Sequence, residues 1–221
     1  MGLGEGARAN WLFWAAIVGG ASYFLAVWSG VDGVAATVWK GSGVTLLALW
    51  AAANARNLDG WLIAAALALG ALGDVLLDAV GLEIGALAFL AGHVVAVVLY
   101  LRHRARPLMA ALPALILVPF VSYLLPDDRS AGPGIAIYAA GLGAMAGAAL
   151  ISGFPRAVAI GAMLFVVSDW LIFARIGPLA GSPIPDWLVW PTYLAGQALI
   201  ALGVVRRLVK EAPGDALHHR L

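Results

Sequence analysis

Long apolar runs fill almost the whole chain, and only short polar turns separate them. A helix needs about 20 predominantly apolar residues to cross a bilayer core of about 30 Å. Eight segments of the 221-residue sequence meet this requirement. They cover residues 11–29, 34–54, 61–80, 84–101, 108–125, 134–151, 157–176 and 187–208. The sequence therefore predicts an all-α membrane protein, a bundle of eight transmembrane helices.

The composition excludes a water-soluble fold. Hydrophobic residues make up 63% of the chain and charged residues only 11%, whereas a soluble domain typically has about 25% charged residues. So few charges cannot cover a water-facing surface, which excludes a soluble enzyme and a disordered chain. The formal net charge of +1 gives no indication of a nucleic-acid partner. Because the chain has no cysteine, disulfides, thiolate metal ligands and thiol nucleophiles are also excluded.

The distribution of basic residues predicts the orientation of the bundle. Lys and Arg are concentrated in the cytoplasmic loops of membrane proteins. Ten of the 13 basic residues fall at the termini and in the second, fourth and sixth loops, and only Arg129 and Arg175 lie on the opposite side. Both termini are therefore predicted to be cytoplasmic. The predicted regions are a cytoplasmic N-terminus (1–10), a membrane domain (11–209) and a basic cytoplasmic tail (210–221) that lies against membrane lipid.

Ionisable side chains inside the predicted spans are the strongest indication of function. Each costs at least about 2.5–3.5 kcal/mol in hydrocarbon and therefore requires a structural or functional reason. With the predicted orientation, these and several neutral polar side chains from six helices fall in the outer half of the membrane or near its middle. The candidates are Lys40, Asp74, Asp78, His93, Tyr138, Ser168, Asp169, Tyr193 and Gln197. Their common level predicts a cavity toward the non-cytoplasmic side.

Asp74 and Asp78 lie four residues apart, so they share one face of the third helix and are able to reach a common partner. Two nearby carboxyl groups in low dielectric rarely both ionise, and a neutral acid beside a charged carboxylate suits acid–base hydrolysis. Lys40 is the candidate for an ion pair with one of them. Purely structural interpretations stay open, with Asp78 at the membrane interface and Lys40 as a counter-ion.

One short internal similarity relates the third and seventh spans. Residues 73–77 (GDVLL) and 168–172 (SDWLI) each have a small residue, an Asp, a spacer and two aliphatic residues, at similar depth and in the same direction. This favours two parallel repeats, spans one to four and five to eight, with one Asp from each half at their interface. A match of this length also arises by chance.

Five stretches form an ordered pattern from the second span to the eighth. They are 39–41 (WKG), 72–77 (LGDVLL), Phe89 with 92–93 (GH), 161–169 (GAMLFVVSD) and 193–200 (YLAGQALI). In this order they resemble the YhhN-type lysoplasmalogenase family of multi-pass membrane proteins. Gly41 departs from the family pattern, which usually has proline after the lysine.

The resemblance implies an integral membrane hydrolase that cleaves the vinyl ether bond of lysoplasmalogens, which are lysophospholipids, to a fatty aldehyde and a glycerophospho-alcohol. Such chemistry needs a protonated acid and a carboxylate, and we expect Asp74 and Asp169 to divide these roles in an order that stays open. The expected supporting residues tune protonation, orient water or bind the substrate. They are Lys40, Asp78, His93, Tyr138, Ser168, Tyr193 and Gln197. No metal or other cofactor is predicted.

Two other functions stay open. A metal-dependent membrane lipid hydrolase would need three or four ligands, and His93 is the only histidine predicted inside the membrane. A small proton-coupled transporter or lipid-binding protein also uses intramembrane Asp and Lys residues. A transporter should have polar groups that reach both faces, whereas the polar residues here are concentrated toward one face. This asymmetry favours a one-sided reaction chamber.

Overall fold

The computed structural model describes residues 9–211, and within that range the chain is a bundle of eight α-helices without a β-strand. The helices are α1 (Asn10–Trp28), α2 (Gly33–Asn54), α3 (Leu58–Ala79), α4 (Leu82–Arg102), α5 (Leu112–Leu124), α6 (Gly132–Ile151), α7 (Arg156–Ala174) and α8 (Ile184–Glu211). Each predicted span corresponds to one helix. The predicted basic positions Arg8 and Arg220 and most of the predicted tail lie outside the described residues.

Six of these helices, α2, α3, α4, α6, α7 and α8, are long and apolar enough to cross a membrane. α1 and α5 are also apolar but are not among the six. α5 has only 13 residues, with Pro119 inside it, and a 3-10 turn over Leu108–Ala111 precedes it. Pro113, near the start of α5, has no backbone N–H. It therefore cannot donate the hydrogen bond that would continue a regular α-helix into the preceding residues. The predicted helical class is confirmed, while the orientation of the termini and the repeat stay predictions.

Helices that follow one another along the chain mostly pack together. α1 to α4 form consecutive pairs, α5 packs on α6, and α7 packs on α8. Contacts of α4 with α6, and of α8 with α1, α2 and α3, join the two halves of the bundle. Trp50, Leu47 and Leu99 are fully buried, whereas Leu87 and Ile137 are exposed on the outside. An exterior with many large apolar side chains suits a lipid environment.

Glycines allow two pairs of helices to approach closely. Gly143 and Gly147, four residues apart on α6, predict such packing from the sequence. A Cβ added at Gly143 would lie 2.7 Å from the carbonyl oxygen of Ala114, and one at Gly147 would lie 2.9 Å from that of Ala111. Both distances are too short for a side-chain carbon, so the predicted close helix packing is confirmed, and the partner of α6 is α5 together with the 3-10 turn before it.

The same kind of contact joins α7 and α8. A Cβ added at Gly161 would lie 2.6 Å from the carbonyl oxygen of Gly196, and one at Gly196 would lie 2.8 Å from that of Gly161. The two backbones therefore touch directly, with no side chain between them. This contact fixes the relative height of α7, which carries Asp169, and α8, which carries Tyr193.

We expect Gly196→Ala to destabilise the bundle, because the new methyl group would meet backbone that cannot move aside without separating α7 from α8. Overpacking of this kind costs about 1–3 kcal/mol. Gly134→Ala is the matched control, since a Cβ at Gly134 meets nothing within 4 Å. Thermal unfolding of both variants in one detergent measures the difference. Equal unfolding temperatures for the two variants would contradict the close contact.

Candidate active site

Asp74 is buried in the bundle and is held by two residues of α8. The hydroxyl of Tyr193 donates a hydrogen bond to Asp74 Oδ2 at 2.8 Å. Gln197 Nε2 in turn donates to the Tyr193 hydroxyl at 3.3 Å. Gly70, one turn before Asp74, makes room for this arrangement, because a Cβ there would lie 2.9 Å from Gln197 Nε2. The sequence predicted all three polar residues at one level, and the structure brings them into contact.

Asp169 on α7 is also buried, and it has a similar set of partners. The hydroxyl of Tyr138 on α6 donates to Asp169 Oδ2 at 2.6 Å. His93 Nε2 on α4 lies 3.3 Å from the same hydroxyl oxygen. Because Tyr138 uses its hydrogen for Asp169, its oxygen accepts from His93, and this direction requires a hydrogen on Nε2. Each acid is thus bonded to a tyrosine that is itself bonded to a nitrogen donor.

Ring contacts from Tyr193 to Phe165 (5.1 Å between centroids), from Phe165 to His93 (5.0 Å) and from His93 to Tyr138 (5.7 Å) connect the tyrosine partners of Asp74 and Asp169. The two acids come from α3 and α7, which belong to different halves of the chain. Their side chains are buried among apolar and aromatic residues, where an electrostatic interaction is stronger than in water. Of the predicted site residues, only His93 and Gln197 line the internal cavity described below, and neither acid does. The shared pocket of Asp74 and Asp169 and their catalytic roles therefore stay predictions.

Lys40 pairs with Asp78 rather than with Asp74. Lys40 Nζ lies 2.8 Å from Asp78 Oδ1, and the two side chains are 17% and 26% exposed. The predicted ion pair between Lys40 and one carboxylate of α3 thus forms with Asp78, which is the partly exposed acid of the two. Asp74, one turn away, points to Tyr193 instead, so the two acids do not share a hydrogen-bond partner.

Gly41, the position that departs from the family pattern, lies in an unbroken part of α2. A Cβ added there would come 3.0 Å from Val75 Cγ2 on α3. The absence of a side chain therefore lets α2 lie close to α3 beside the ion pair of Lys40 and Asp78. A regular helix at this point keeps the lysine directed at α3.

Ser168 does not join the other polar candidates by hydrogen bonding. Its hydroxyl donates to the carbonyl oxygen of Val189 on α8 at 3.0 Å, and the residue is almost fully buried. This bond ties α7 to α8 one residue before Asp169. The observed hydrogen bond of Ser168 is with main chain, and its predicted supporting role at the site stays a prediction.

A cluster of aromatic rings lies next to both acids, and its apolar members were not predicted as site residues. The centroid of Phe165 is 5.1 Å from that of Tyr193 and 5.0 Å from that of His93, and Phe89 packs edge-on against Phe165 and Tyr193. Phe165 precedes Asp169 by one helical turn, which is the only signal in the sequence. Aromatic residues in an apolar span are too common to identify a site.

A small cavity of about 30 Å³ continues from this cluster into the bundle. Because about 10–15 Å³ of cavity volume is enough for one water molecule, this cavity has room for water. Its walls are formed by Ile63, Ala66, Leu67, Gly70, Phe89, Gly92, His93, Ala96, Tyr100, Met145, Phe165, Gln197 and Ile200. Tyr100 is fully buried, and its hydroxyl has no hydrogen-bond partner among residues 9–211. Tyr100 was not predicted as a site residue, because it lies among the apolar residues at the end of a span.

No group of three or more His, Asp or Glu side chains in residues 9–211 is arranged to hold a metal ion. His93 contacts a tyrosine and a phenylalanine, and His103 lies 2.9 Å from Asp59 near the other end of α3. The metal-dependent alternative therefore has no set of protein ligands in the described range.

A second internal similarity accompanies the one around the two acids. Residues 89–93 (FLAGH) on α4 and 193–197 (YLAGQ) on α8 agree in the Leu-Ala-Gly core and in the aromatic residue before it. Phe89 and Tyr193 belong to the aromatic cluster. His93 and Gln197 are the nitrogen donors to the two tyrosines. The similarity was readable from the sequence but was not recognised there.

The glycines of these two stretches make corresponding contacts. A Cβ added at Gly92 would meet the carbonyl oxygen of Ala66 at 3.2 Å, and one at Gly196 would meet that of Gly161 at 2.8 Å. Ala66 and Gly161 each lie eight residues before the acid of their helix. The α3–α4 pair and the α7–α8 pair therefore have matching contacts at matching distances from Asp74 and Asp169.

A protein-family model matches most of the bundle. The model of the YhhN family matches residues 35–204, which is more than half of the chain and includes all the candidate residues from Lys40 to Gln197. No curated protein and no solved structure matches the chain. On the extent of the match to the family model, the chain belongs to the YhhN family.

Proposed function

We propose that this protein hydrolyses the vinyl ether bond of lysoplasmalogens and releases a fatty aldehyde and a glycerophospho-alcohol. The observation that carries the proposal is the pair of buried acids, Asp74 and Asp169, each bonded to a tyrosine in a chain of the YhhN family. Buried carboxyl groups in a membrane domain require a functional or structural reason. Acid–base chemistry on a lipid within the membrane supplies a functional one.

The reaction begins with transfer of a proton from one carboxyl group to the β-carbon of the vinyl ether. The carbon–carbon double bond supplies the electrons, and the adjacent carbon becomes an oxocarbenium ion. Water adds to that carbon and loses a proton to the second carboxylate. The resulting hemiacetal expels the glycerol oxygen, which takes up a proton, and leaves the aldehyde. Asp74 and Asp169 divide the roles of acid and carboxylate, since general acid–base catalysis requires both states.

The groups around the acids support the remaining requirements of this reaction. The hydroxyls of Tyr138 and Tyr193 orient the two carboxyl groups. The rings of Phe89, Phe165 and Tyr193 provide aromatic surface next to the acids, and such surface stabilises a nearby positive charge. His93 and Gln197, which also line the small cavity, are suited to orient water.

The predicted orientation places the site in the outer half of the membrane. A lysolipid would then enter sideways from the outer leaflet, with its head group near the ion pair of Lys40 and Asp78. That ion pair is partly exposed, whereas Asp74 and Asp169 are buried. The matching glycine contacts of the α3–α4 and α7–α8 pairs support the predicted parallel repeat, with one acid from each half.

Proton-coupled transport is the second candidate, and the hydrogen-bonded chain from His93 through Tyr138 to Asp169 favours it. Such chains also carry protons in pumps and transporters. Movement of a solute across sealed vesicles with no chemical change in any lysolipid would support transport over hydrolysis.

Mass spectrometry of three lysolipids that differ only in the chain linkage tests the proposed hydrolysis. We expect the purified protein to release aldehyde from the vinyl ether and to leave the saturated ether and the ester intact, because only the vinyl ether accepts a proton on carbon. In ¹⁸O-labelled water, the glycerophospho-alcohol should stay unlabelled, since water attacks the chain carbon. Intact vinyl ether, or label in the glycerol product, would overturn the mechanism.

A further inference from the structure

A groove between the start of α7 and the last turns of α8 combines an apolar wall with several charged side chains. Its volume is about 400 Å³. The walls are Pro155, Ala157, Leu202, Gly203, Arg206, Arg207, Lys210 and Glu211. It lies at the end of the bundle away from Asp74 and Asp169.

Within residues 9–211, two of the three cations in this groove have no acidic partner. Arg207 is satisfied, because it donates to Glu211 at 2.7 Å and also to the carbonyl oxygen of Gly153. Within residues 9–211, Lys210 forms no ion pair, and Arg206 Nε is buried without a hydrogen-bond partner. A buried donor without an acceptor is costly. The groove therefore offers the positive charges of Arg206 and Lys210 to an anion.

The groove lies at the depth of lipid head groups. α8 has 28 residues and is therefore about 42 Å long, which exceeds the thickness of a hydrocarbon core of about 30 Å. Its last turns extend beyond the apolar part of the bundle, beside the first turn of α7. At the first turn of α7 the N–H of Val158 donates to the carbonyl oxygen of Pro155, and the helix dipole adds partial positive charge there.

We propose that this groove binds one anionic phospholipid. The phosphate lies between Arg206, Lys210 and the start of α7, and an acyl chain lies along Leu202 and Ala157. Lys210 disfavours a zwitterionic lipid, because its charge repels the ammonium group of such a head group. The site is about 20 Å along the helices from the two acids, so it is independent of the proposed hydrolysis.

Titration of the full-length protein with phosphatidylglycerol in an uncharged detergent, read by native mass spectrometry, tests this site. Lys210 is exposed, so Lys210→Ala should fold normally, and we expect it to raise the dissociation constant roughly fivefold. Adding Arg206→Ala should bring the increase to roughly 30-fold. Arg104→Ala is the matched control, since Arg104 is an exposed cation at the same end of the bundle and outside the groove. It should change the constant less than twofold.

Three results would overturn the proposal. The first is an equal loss of affinity in Arg104→Ala and Lys210→Ala, which would indicate diffuse surface charge. The second is binding of phosphatidylcholine as tightly as phosphatidylglycerol, which would indicate chain contacts alone. The third is competition by inorganic phosphate at the same concentration as the lipid, which would indicate a site for a soluble anion. Unchanged unfolding temperatures in the absence of lipid confirm that each variant is folded.

Discussion

Asp169→Asn is expected to lower aldehyde release from lysoplasmalogen by about 100- to 10,000-fold, the range over which general acid–base catalysis contributes. Asparagine has almost the same shape as aspartate, and its carbonyl oxygen still accepts the hydrogen bond from Tyr138. It has no proton to transfer at neutral pH and no negative charge to stabilise a cation. The loss should therefore appear in kcat, measured by aldehyde release under substrate saturation.

Asp127→Asn is the matched control for this experiment. It makes the same chemical change at an exposed acid in the loop between α5 and α6, outside the candidate site. We expect it to keep the activity of the unchanged protein and Asp169→Asn to keep the unfolding temperature. Near-normal turnover by Asp169→Asn would show that Asp169 takes no part in proton transfer or charge stabilisation.

Asp74→Asn is expected to cause a loss of the same order, since one carboxyl group cannot complete the reaction alone. The double variant with Asp169→Asn should be no slower than the worse single variant, because residues that act as one unit have non-additive effects. Asp78→Asn, one turn away on the same helix, removes only the ion pair with Lys40. We expect this variant to lower the rate of aldehyde release less than tenfold. Rates measured under one set of conditions give this comparison.

If the fold-loss of activity in the double variant equalled the product of the fold-losses in the two single variants, a shared step would be contradicted. That result would mean that Asp74 and Asp169 act independently. A larger loss in Asp78→Asn than in Asp74→Asn would move the proposed chemistry to the partly exposed ion pair.

The helices were predictable because the apolar runs have the length that a bilayer imposes, and the observed ends lie within a few residues of the predicted ones. α5 departs most, since its helix begins at Leu112 rather than at the start of the apolar run. The apolar length of the run indicated a span, but the prolines Pro113 and Pro119 restrict regular helical bonding within it. Hydropathy alone does not register this effect.

The polar residues of the site were predictable because each is costly in an apolar helix. Their partners were not, since the choice between Asp74 and Asp78 for Lys40 depends on how α2 rotates against α3. The bond from Tyr138 to Asp169 depends in the same way on how α6 lies against α7. Phe165 and Tyr100 could not be distinguished from packing residues, because aromatic side chains occur throughout the apolar spans.

Direct backbone contact at Gly161 and Gly196 has a mechanical consequence for how a lipid reaches the acids. Where two main chains touch, no change of rotamer can widen the gap, so α7 and α8 should move as one piece. α3 and α4 have the corresponding contact at Gly92. Opening of the bundle to admit a bulky substrate is therefore expected along the seams between these pairs, where interlocking side chains can rotate away without breaking either pair.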